Sequence, residues 1–467
     1  MDFIDVSNLP DKRLQNQSRK MVTLLQNNQC SIINRSYGSQ RDKIGGYRFL
    51  NNIKIEEEHL IKALNIQCQL NCGKKHIIGI QDTSEYNYAH HRKRIKDGSL
   101  GVVGNNRDLG YFAHVMVLFD AETHLPQGIS YCKLWSREPE RKTRDHEASK
   151  KLPIEEKESY RWLEAIDKTR SLLNQSSHFT FISDRESDIY QLWSKIPDEK
   201  TDLIIRARGD RLLFDQPLTM IESLDKDDIA GSFRIELKGD TRVNKSKRTA
   251  LLHVKFKEVL IKKAKGLSLN HDVSENVSLM LVEAKEDPST CKEGQTPVHW
   301  LLLTTHDVRT FEQACNIIIW YCFRWQIEQF FRITKLQGIN LEASQLETGV
   351  ALKKLGLIGF AAALKILQLS LARDGTHNDH ANKYFSTQEI QVLGLLDKKL
   401  RGTTIKQQNP HSKCTLAWAA WVIARLGGYS GYASQSPPGP MTFKWGLDKF
   451  NQIVEAYYLF GIDVYKE

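Results

Sequence analysis

His178-Phe-Thr-Phe-Ile182-Ser-Asp184-Arg-Glu-Ser-Asp188 reads as a short apolar strand that ends in an acid and turns toward a helix. Ile189, Leu192, Trp193 and Ile196 follow at helical spacing. The pattern has an earlier counterpart in His76-Ile-Ile-Gly-Ile80-Gln-Asp82-Thr-Ser. Between the two lie the strand-like stretches Ala113–Phe119 and Pro126–Trp135, a charged segment from Arg137 to Lys157, and an amphipathic stretch from Glu158 to Leu173. Strands alternating with helices predict an α/β fold. In such folds sites are built where strands end at the carboxyl edge of the sheet. Asp82 and Asp184 are therefore both expected just past a strand end, where side chains reach solvent. Each also suits a turn or an N-cap, and Glu186 and Asp188 strengthen that reading for Asp184.

Residues 200–305 predict further strands at Leu203–Arg208, Gly231–Lys238, Thr249–Leu260, Val277–Glu283 and Val298–Thr304. From Arg234 to Lys265 there are eleven Lys or Arg against three acids, which fits a solvated face or a phosphate track. Residues 1 to about 62 look helical and polar around Gly45-Gly-Tyr47-Arg48-Phe49-Leu50, as a small DNA-binding unit or a solvated helical cap. Helical patterns continue through Gly349–Arg373 to the C-terminus, interrupted by Gln435-Ser-Pro-Pro-Gly-Pro440. Trp418, Val422 and Leu426 form an apolar face there that suits either an interface or a core.

A long helix over roughly 310–337 carries Tyr321-Cys-Phe-Arg324-Trp-Gln-Ile-Glu328-Gln-Phe-Phe-Arg332-Ile-Thr-Lys335. At about 100° per residue, Tyr321, Arg324, Glu328, Arg332 and Lys335 fall within an arc of roughly 80°. Ile319, Phe323, Ile327 and Phe330 lie opposite and are expected to face a core. Glu328 has Arg324 and Arg332 one turn away on either side, the ordinary arrangement of a surface ion-pair row.

The 467 residues allow two to three domains, and a net charge of +10 points to a polyanionic partner. No uninterrupted apolar run reaches about 18 residues, and the acidic start Met1-Asp-Phe-Ile-Asp5 does not resemble a signal peptide. The eight cysteines are scattered, with Cys68 and Cys72 the one close pair, which suggests reduced thiols and a cytoplasmic protein. Two acids on neighbouring strands and a third on a helix are hard oxygen donors suited to a pair of Mg2+ ions, with Mn2+ expected to substitute. Paired ions activate a water or 3′-hydroxyl for in-line displacement at phosphorus.

At these residues the chain resembles the DDE transposases of the IS-four family. The spacing of Tyr321, Arg324, Glu328 and Lys335 matches that family's YREK signature. The segments around Asp82 and Asp184 match its two aspartate blocks. Glu156–Trp162, Trp300-Leu-Leu-Leu-Thr304 and Leu426-Gly-Gly-Tyr429 are also similar. The resemblance implies an RNase H-like core over 63–372 with a β-rich insertion at about 200–305. It also implies a helical DNA-end-binding domain at 1–62 and a C-terminal helical dimerisation domain at 373–467. Asp82, Asp184 and Glu328 would be catalytic metal ligands. Tyr321, Arg324, Arg332 and Lys335 would hold phosphates, with Arg332 replacing a lysine. Arg206 and Arg208 would be basic contacts on the insertion. Trp300 would receive a flipped base and Trp325 would stack nearby, although either ring also suits ordinary packing. Tyr47 and Arg48 would belong to end recognition. The implied activity is cut-and-paste transposition through a DNA hairpin, by a homodimer acting on inverted ends and target DNA in the bacterial nucleoid. A nuclease with the same core but no strand transfer, and a DNA-binding descendant that no longer cuts, are the alternatives.

Overall fold

The computed structural model describes residues 2–27, 31–37, 39–95, 98–139, 152–237, 248–264, 267, 272–291, 294–335, 338–376, 379–432 and 435–460. Lys238, Arg242, Lys245, Lys247 and Lys265 of the basic run, part of the charged segment after Arg137, and the expected helix end at 336–337 lie outside them. The strands are β1 His76–Asn87, β2 Gly101–Val102, β3 Leu109–Asp120, β4 Pro126–Trp135, β5 His178–Ser183, β6 Thr201–Arg206, β7 Gly231–Leu237, β8 Arg248–Lys262, β9 Asn276–Glu286 and β10 His299–Thr304. The chain forms two compact units, one gathering Met1–Gly73, Thr83–Arg141 and Ile327–Glu467, the other Lys74–Asp82 and Lys142–Gln326. Residues 1–62 and 373–467, expected as two separate helical domains, both fall in the first unit.

In the second unit the strand order is β1, β5, β6, β10, β9, β8, β7. β1, β5 and β6 run parallel. Their cores are unbroken apolar runs, Ile77-Ile78, Phe181-Ile182 and Leu203-Ile204-Ile205, all buried. Such runs, rather than alternation, are what a sheet covered on both faces requires. Trp162, Leu163, Ala165, Ile166 and Thr169 form the buried stripe of the helix Arg161–Leu172. From β10 outward the sheet is an antiparallel meander, with β8 and β9 in register from Leu252↔Glu286 to Lys262↔Asn276. The strands expected over 200–305 are present. A short helix not anticipated from the sequence, Met220–Asp225, is held by a Thr219/Glu222 capping box.

Of the six described Lys and Arg in the basic run of this unit, four are committed to the fold. Arg248 pairs with buried Glu286. Lys255 donates to the Leu224 carbonyl at 3.3 Å, Lys257 pairs with Asp227 at 2.8 Å, and Lys263 pairs with Glu275 at 3.0 Å. For these four residues the phosphate-track reading gives way to structural ties.

The first unit holds the β3–β4 hairpin and the helices Lys12–Asn27, Gln40–Leu50, Glu57–Cys72, Gly349–Ala372, Thr387–Leu400, Leu416–Leu426 and Pro440–Phe460. Among the described residues one helix, Gly349–Ala372, is long and apolar enough to cross a membrane, and 78% of its apolar window is buried inside the protein. The absence of a long uninterrupted apolar run in the sequence did not disclose it, because Lys353, Lys354 and Lys365 break the run. Those lysines are accommodated within the unit: Lys353 pairs with Glu57 at 3.6 Å, Lys354 donates to the Asn52 carbonyl and Lys365 to the Tyr384 carbonyl, both at 2.9 Å. Burial pushes the Lys365 ammonium down to about 8. Trp418 and Val422 are core residues, 1% and 0% exposed. Cys68 and Cys72 are buried thiols with sulfurs 3.9 Å apart.

Candidate active site

Parallel pairing fixes the relation between the two aspartates. β1 and β5 are in register from His76↔His178 to Ile80↔Ile182. Asp82 and Asp184 each lie two residues beyond that last pair. Side chains alternate along a strand, so each aspartate shares a face with the isoleucine two residues before it. One residue nearer, Gln81 is fully buried, and its side-chain amide donates to Ser183 Oγ and to the Trp162 carbonyl, both at 3.3 Å. The residues preceding the two acids are thereby tied to each other and to the helix Arg161–Leu172.

Asp82 departs from expectation in one respect. It is not past the end of its strand, because β1 continues to Asn87. What ends near Asp82 is the pairing with β5. Its side chain is 29% exposed and its Oδ2 stands 3.7 Å from Arg324. Asp184 does follow its strand, and the N-cap role is present: its Oδ1 accepts from the Arg185 amide at 2.7 Å. Asp188, which looks equivalent in the sequence, does another job. It is buried and accepts from Trp193 Nε1 at 3.0 Å, the Arg208 amide at 2.9 Å and Arg211 at 2.6 Å.

The expected long helix is two helices, Phe311–Phe323 and Trp325–Thr334, joined by Arg324 in right-handed helical conformation. Thr310 and Gln313 cap the first through reciprocal bonds of 3.3 and 3.1 Å. Tyr321 was expected on the exposed polar arc but is 5% exposed, whereas Ile319, expected to face a core, is 49% exposed. The reason is Trp300 on β10, whose ring meets Tyr321 edge to face at 5.6 Å. Arg324, on the next turn, lies 5.9 Å from the Tyr321 ring centre. Burial pushes the Tyr321 hydroxyl above its ordinary range; Arg324 and a hydrogen bond from Arg206 oppose this, and the Asp184 charge reinforces it. Arg206 also donates to the His299 carbonyl at 3.1 Å. Asp82, Asp184, Arg206, Trp300, Tyr321 and Arg324 therefore form one neighbourhood within the second unit.

Glu328 is half-buried in the first turn of Trp325–Thr334, and Arg332 is half-buried in the last. Lys335 places its ammonium 5.3 Å from the Tyr86 ring centre, and the Tyr86 hydroxyl meets Thr334 Oγ1 at 2.6 Å. Trp325 and Tyr47 are half-buried. Arg208 is exposed, and so is Arg48 in the last turn of Gln40–Leu50. The sequence reading missed Gln81, Ser183 and Arg161, which pairs with Glu186 at 3.0 Å. The one available signal was that a polar residue precedes the acid in both blocks.

Carboxylate oxygens suit a hard divalent cation, and Asp82 and Asp184 fit such an ion by donor type and by their matched positions. Among the described residues no group of three or more His, Cys, Asp or Glu is placed to hold a metal ion. The fit accordingly rests on the aspartate pair. No protein-family model matches the chain.

Proposed function

We propose that this protein is a DDE-type transposase, a metal-dependent enzyme that cuts DNA at transposon ends and joins the freed 3′ ends to target DNA. The observation carrying this reading is the matched offset of Asp82 and Asp184 beyond Ile80↔Ile182, with Arg324 3.7 Å from Asp82. Two acids at equal height on adjacent parallel strands suit polyphosphate or phosphodiester chemistry. A guanidinium beside them suits a bound phosphate. The net charge of +10 adds a long-range attraction to DNA.

In this reading Asp82 and Asp184 would hold the divalent ions, and Glu328 is the third ligand that the resemblance implies. When bound, those ions would activate the attacking oxygen and neutralise charge on the leaving one. Arg324 moves between the Asp82 carboxylate and a backbone phosphate. Tyr321, kept protonated by burial, presents a hydroxyl donor and a ring face beside Trp300. Trp300 offers a stacking surface for an unstacked base. In the first step water attacks phosphorus, the bond to the 3′-oxygen breaks, and a 3′-hydroxyl is left. In the next, that hydroxyl attacks a phosphorus of the opposite strand, the bond from that phosphorus to the flanking 3′-oxygen breaks to leave a flanking 3′-hydroxyl, and the end closes as a hairpin, which a second water reopens before the 3′-hydroxyl joins target DNA. Arg332, Lys335, Arg206 and Arg208 serve as phosphate contacts, and Tyr47 and Arg48 as end-recognition contacts. Tyr458, Leu459 and Phe460, 55%, 74% and 77% exposed at the end of the last described helix, support a homodimer.

The test is cleavage of the gene's own flanking DNA by the purified protein with Mg2+, beside Glu328→Ala. The expected result is cuts at two inverted ends with hairpins on the excised piece, and none from the variant. Binding without cuts would replace this reading with a DNA-binding descendant. Cuts without joining would replace it with a nuclease.

A further inference from the structure

At the opposite end of the same parallel strands lies a second polar cluster, which the proposed chemistry does not use. His76 and His178 are register partners, with rings 4.9 Å apart and perpendicular. His306 follows β10, and its ring is 6.4 Å from that of His178. Asp202 on β6 receives both: His178 Nε2 at 2.8 Å and His306 Nδ1 at 3.3 Å from the same oxygen. Thr305 donates to the other oxygen at 2.7 Å. Thr180 sits between His76 Nε2 at 3.0 Å and His306 Nε2 at 3.2 Å. Trp320 covers the group, 5.9 Å from His76 and 5.3 Å from His306.

Hydrogen-bond chemistry constrains the protons in this chain. A carboxylate only accepts, so His178 Nε2 donates to Asp202, while His306 Nδ1 stands 3.3 Å from the same oxygen as an ion-pair contact. With its proton on Nδ1, facing that carboxylate, neutral His306 offers a bare Nε2 to the Thr180 hydroxyl. Thr180 has spent its proton, so His76 Nε2 donates to it. A second proton on His306 has one place to go, Nε2, where it meets the proton of Thr180.

We propose that this cluster is an acid-sensitive clamp. Protonation of His306 turns the Thr180 hydroxyl away from Nε2, adds positive charge beside His76 and His178, and loosens the helix Phe311–Phe323 where Trp320 packs on the cluster. The groups facing His306 are His76 from β1, His178 from β5 and Asp202 from β6; the helix contributes the uncharged indole of Trp320. Asp198, before β6, in turn feels the charge of His178. Burial, with His178 and His76, pushes His306 down to about 4 against the pull of Asp202. The residue after Trp320 is Tyr321, so a loosened clamp acts on the ring that packs on Trp300.

The test is imidazole nitrogen NMR of the full chain from about pH 7.5 to about pH 4.5, with backbone amide exchange of residues 311–323 corrected for intrinsic rates. His306 is expected to remain an Nδ1–H tautomer below the pH at which ordinary histidines titrate. Exchange in the helix should rise about tenfold once His306 protonates. Thr180→Val, which leaves no hydroxyl to turn, should raise the titration of His306 and remove most of the acid-induced exchange. An Nε2–H tautomer in the wild type, ordinary titration of His306, or exchange that ignores its protonation would each overturn the proposal, and none of them bears on DNA cleavage.

Discussion

The two ends of the stretch where β1 and β5 pair carry titratable groups placed by one register, and they treat them oppositely. At the start of the strands, His76 and His178 face each other and join His306, Thr180 and Asp202 in one cluster of hydrogen bonds and ion-pair contacts. Two residues beyond the last paired isoleucines, Asp82 and Asp184 carry charge toward Arg324, a backbone amide and partly exposed surroundings. A parallel pair puts like beside like. Neutral imidazoles tolerate this by sharing hydrogen bonds, whereas two carboxylates tolerate it only with cations nearby. The first end suits a structural clamp and the second suits a site that recruits positive charge.

The largest effect should come from breaking the carboxylate end. Asp82→Ala or Asp184→Ala is expected to lower DNA cleavage by roughly 10³-fold, with DNA binding retained in a gel-shift assay. Breaking the histidine end should instead cost stability as pH falls. His306 is held below its ordinary 6.5, at about 4, so the folded state favours the neutral form. That contribution is present above about pH 6.5 and is lost as pH falls toward about 4, by up to about 3 kcal/mol in urea unfolding. His306→Gln should flatten this dependence. Arg324→Ala comes next, with cleavage expected to drop roughly tenfold to a hundredfold and Arg324→Lys recovering only part, since a lysine cannot present a bidentate fork. Gln81→Ala sharpens the comparison at the tie between the two strands. It should destabilise the protein by about 1–3 kcal/mol and shift kcat more than KM if the tie sets the spacing of the aspartates. The smallest effect is expected from Arg48→Ala, whose loss should reduce the salt dependence of DNA binding by about one phosphate contact.

Much of this was legible from residue patterns. The apolar runs of β1, β5 and β6 and the strands of the 200–305 stretch announce themselves by composition, because buried sheet needs continuous Ile, Val, Leu and Phe. The two aspartates were found from their position after such runs. Register was not legible: nothing local says that Ile80 pairs with Ile182, and the equal offset of Asp82 and Asp184 follows from that pairing alone. Tyr321 was misplaced because helical periodicity places residues on faces but does not say which face meets Trp300. The histidine clamp escaped notice because His76, His178, Asp202 and His306 are far apart in the chain and share no spacing rule. The core role of Gly349–Ala372 was hidden by three lysines whose ammonium groups find partners within the unit.

The most direct test is a change of ligand chemistry at Asp82. Asp82→Cys presents a thiolate, which binds Mg2+ poorly and softer divalent ions well. DNA cleavage by this variant should be lost with Mg2+ and restored in part with Mn2+, while the wild type cuts with both. A folded Asp82→Cys protein that cuts normally with Mg2+, or that stays inactive with every metal while Asp82→Asn cuts, would contradict the assignment of Asp82 as a metal ligand.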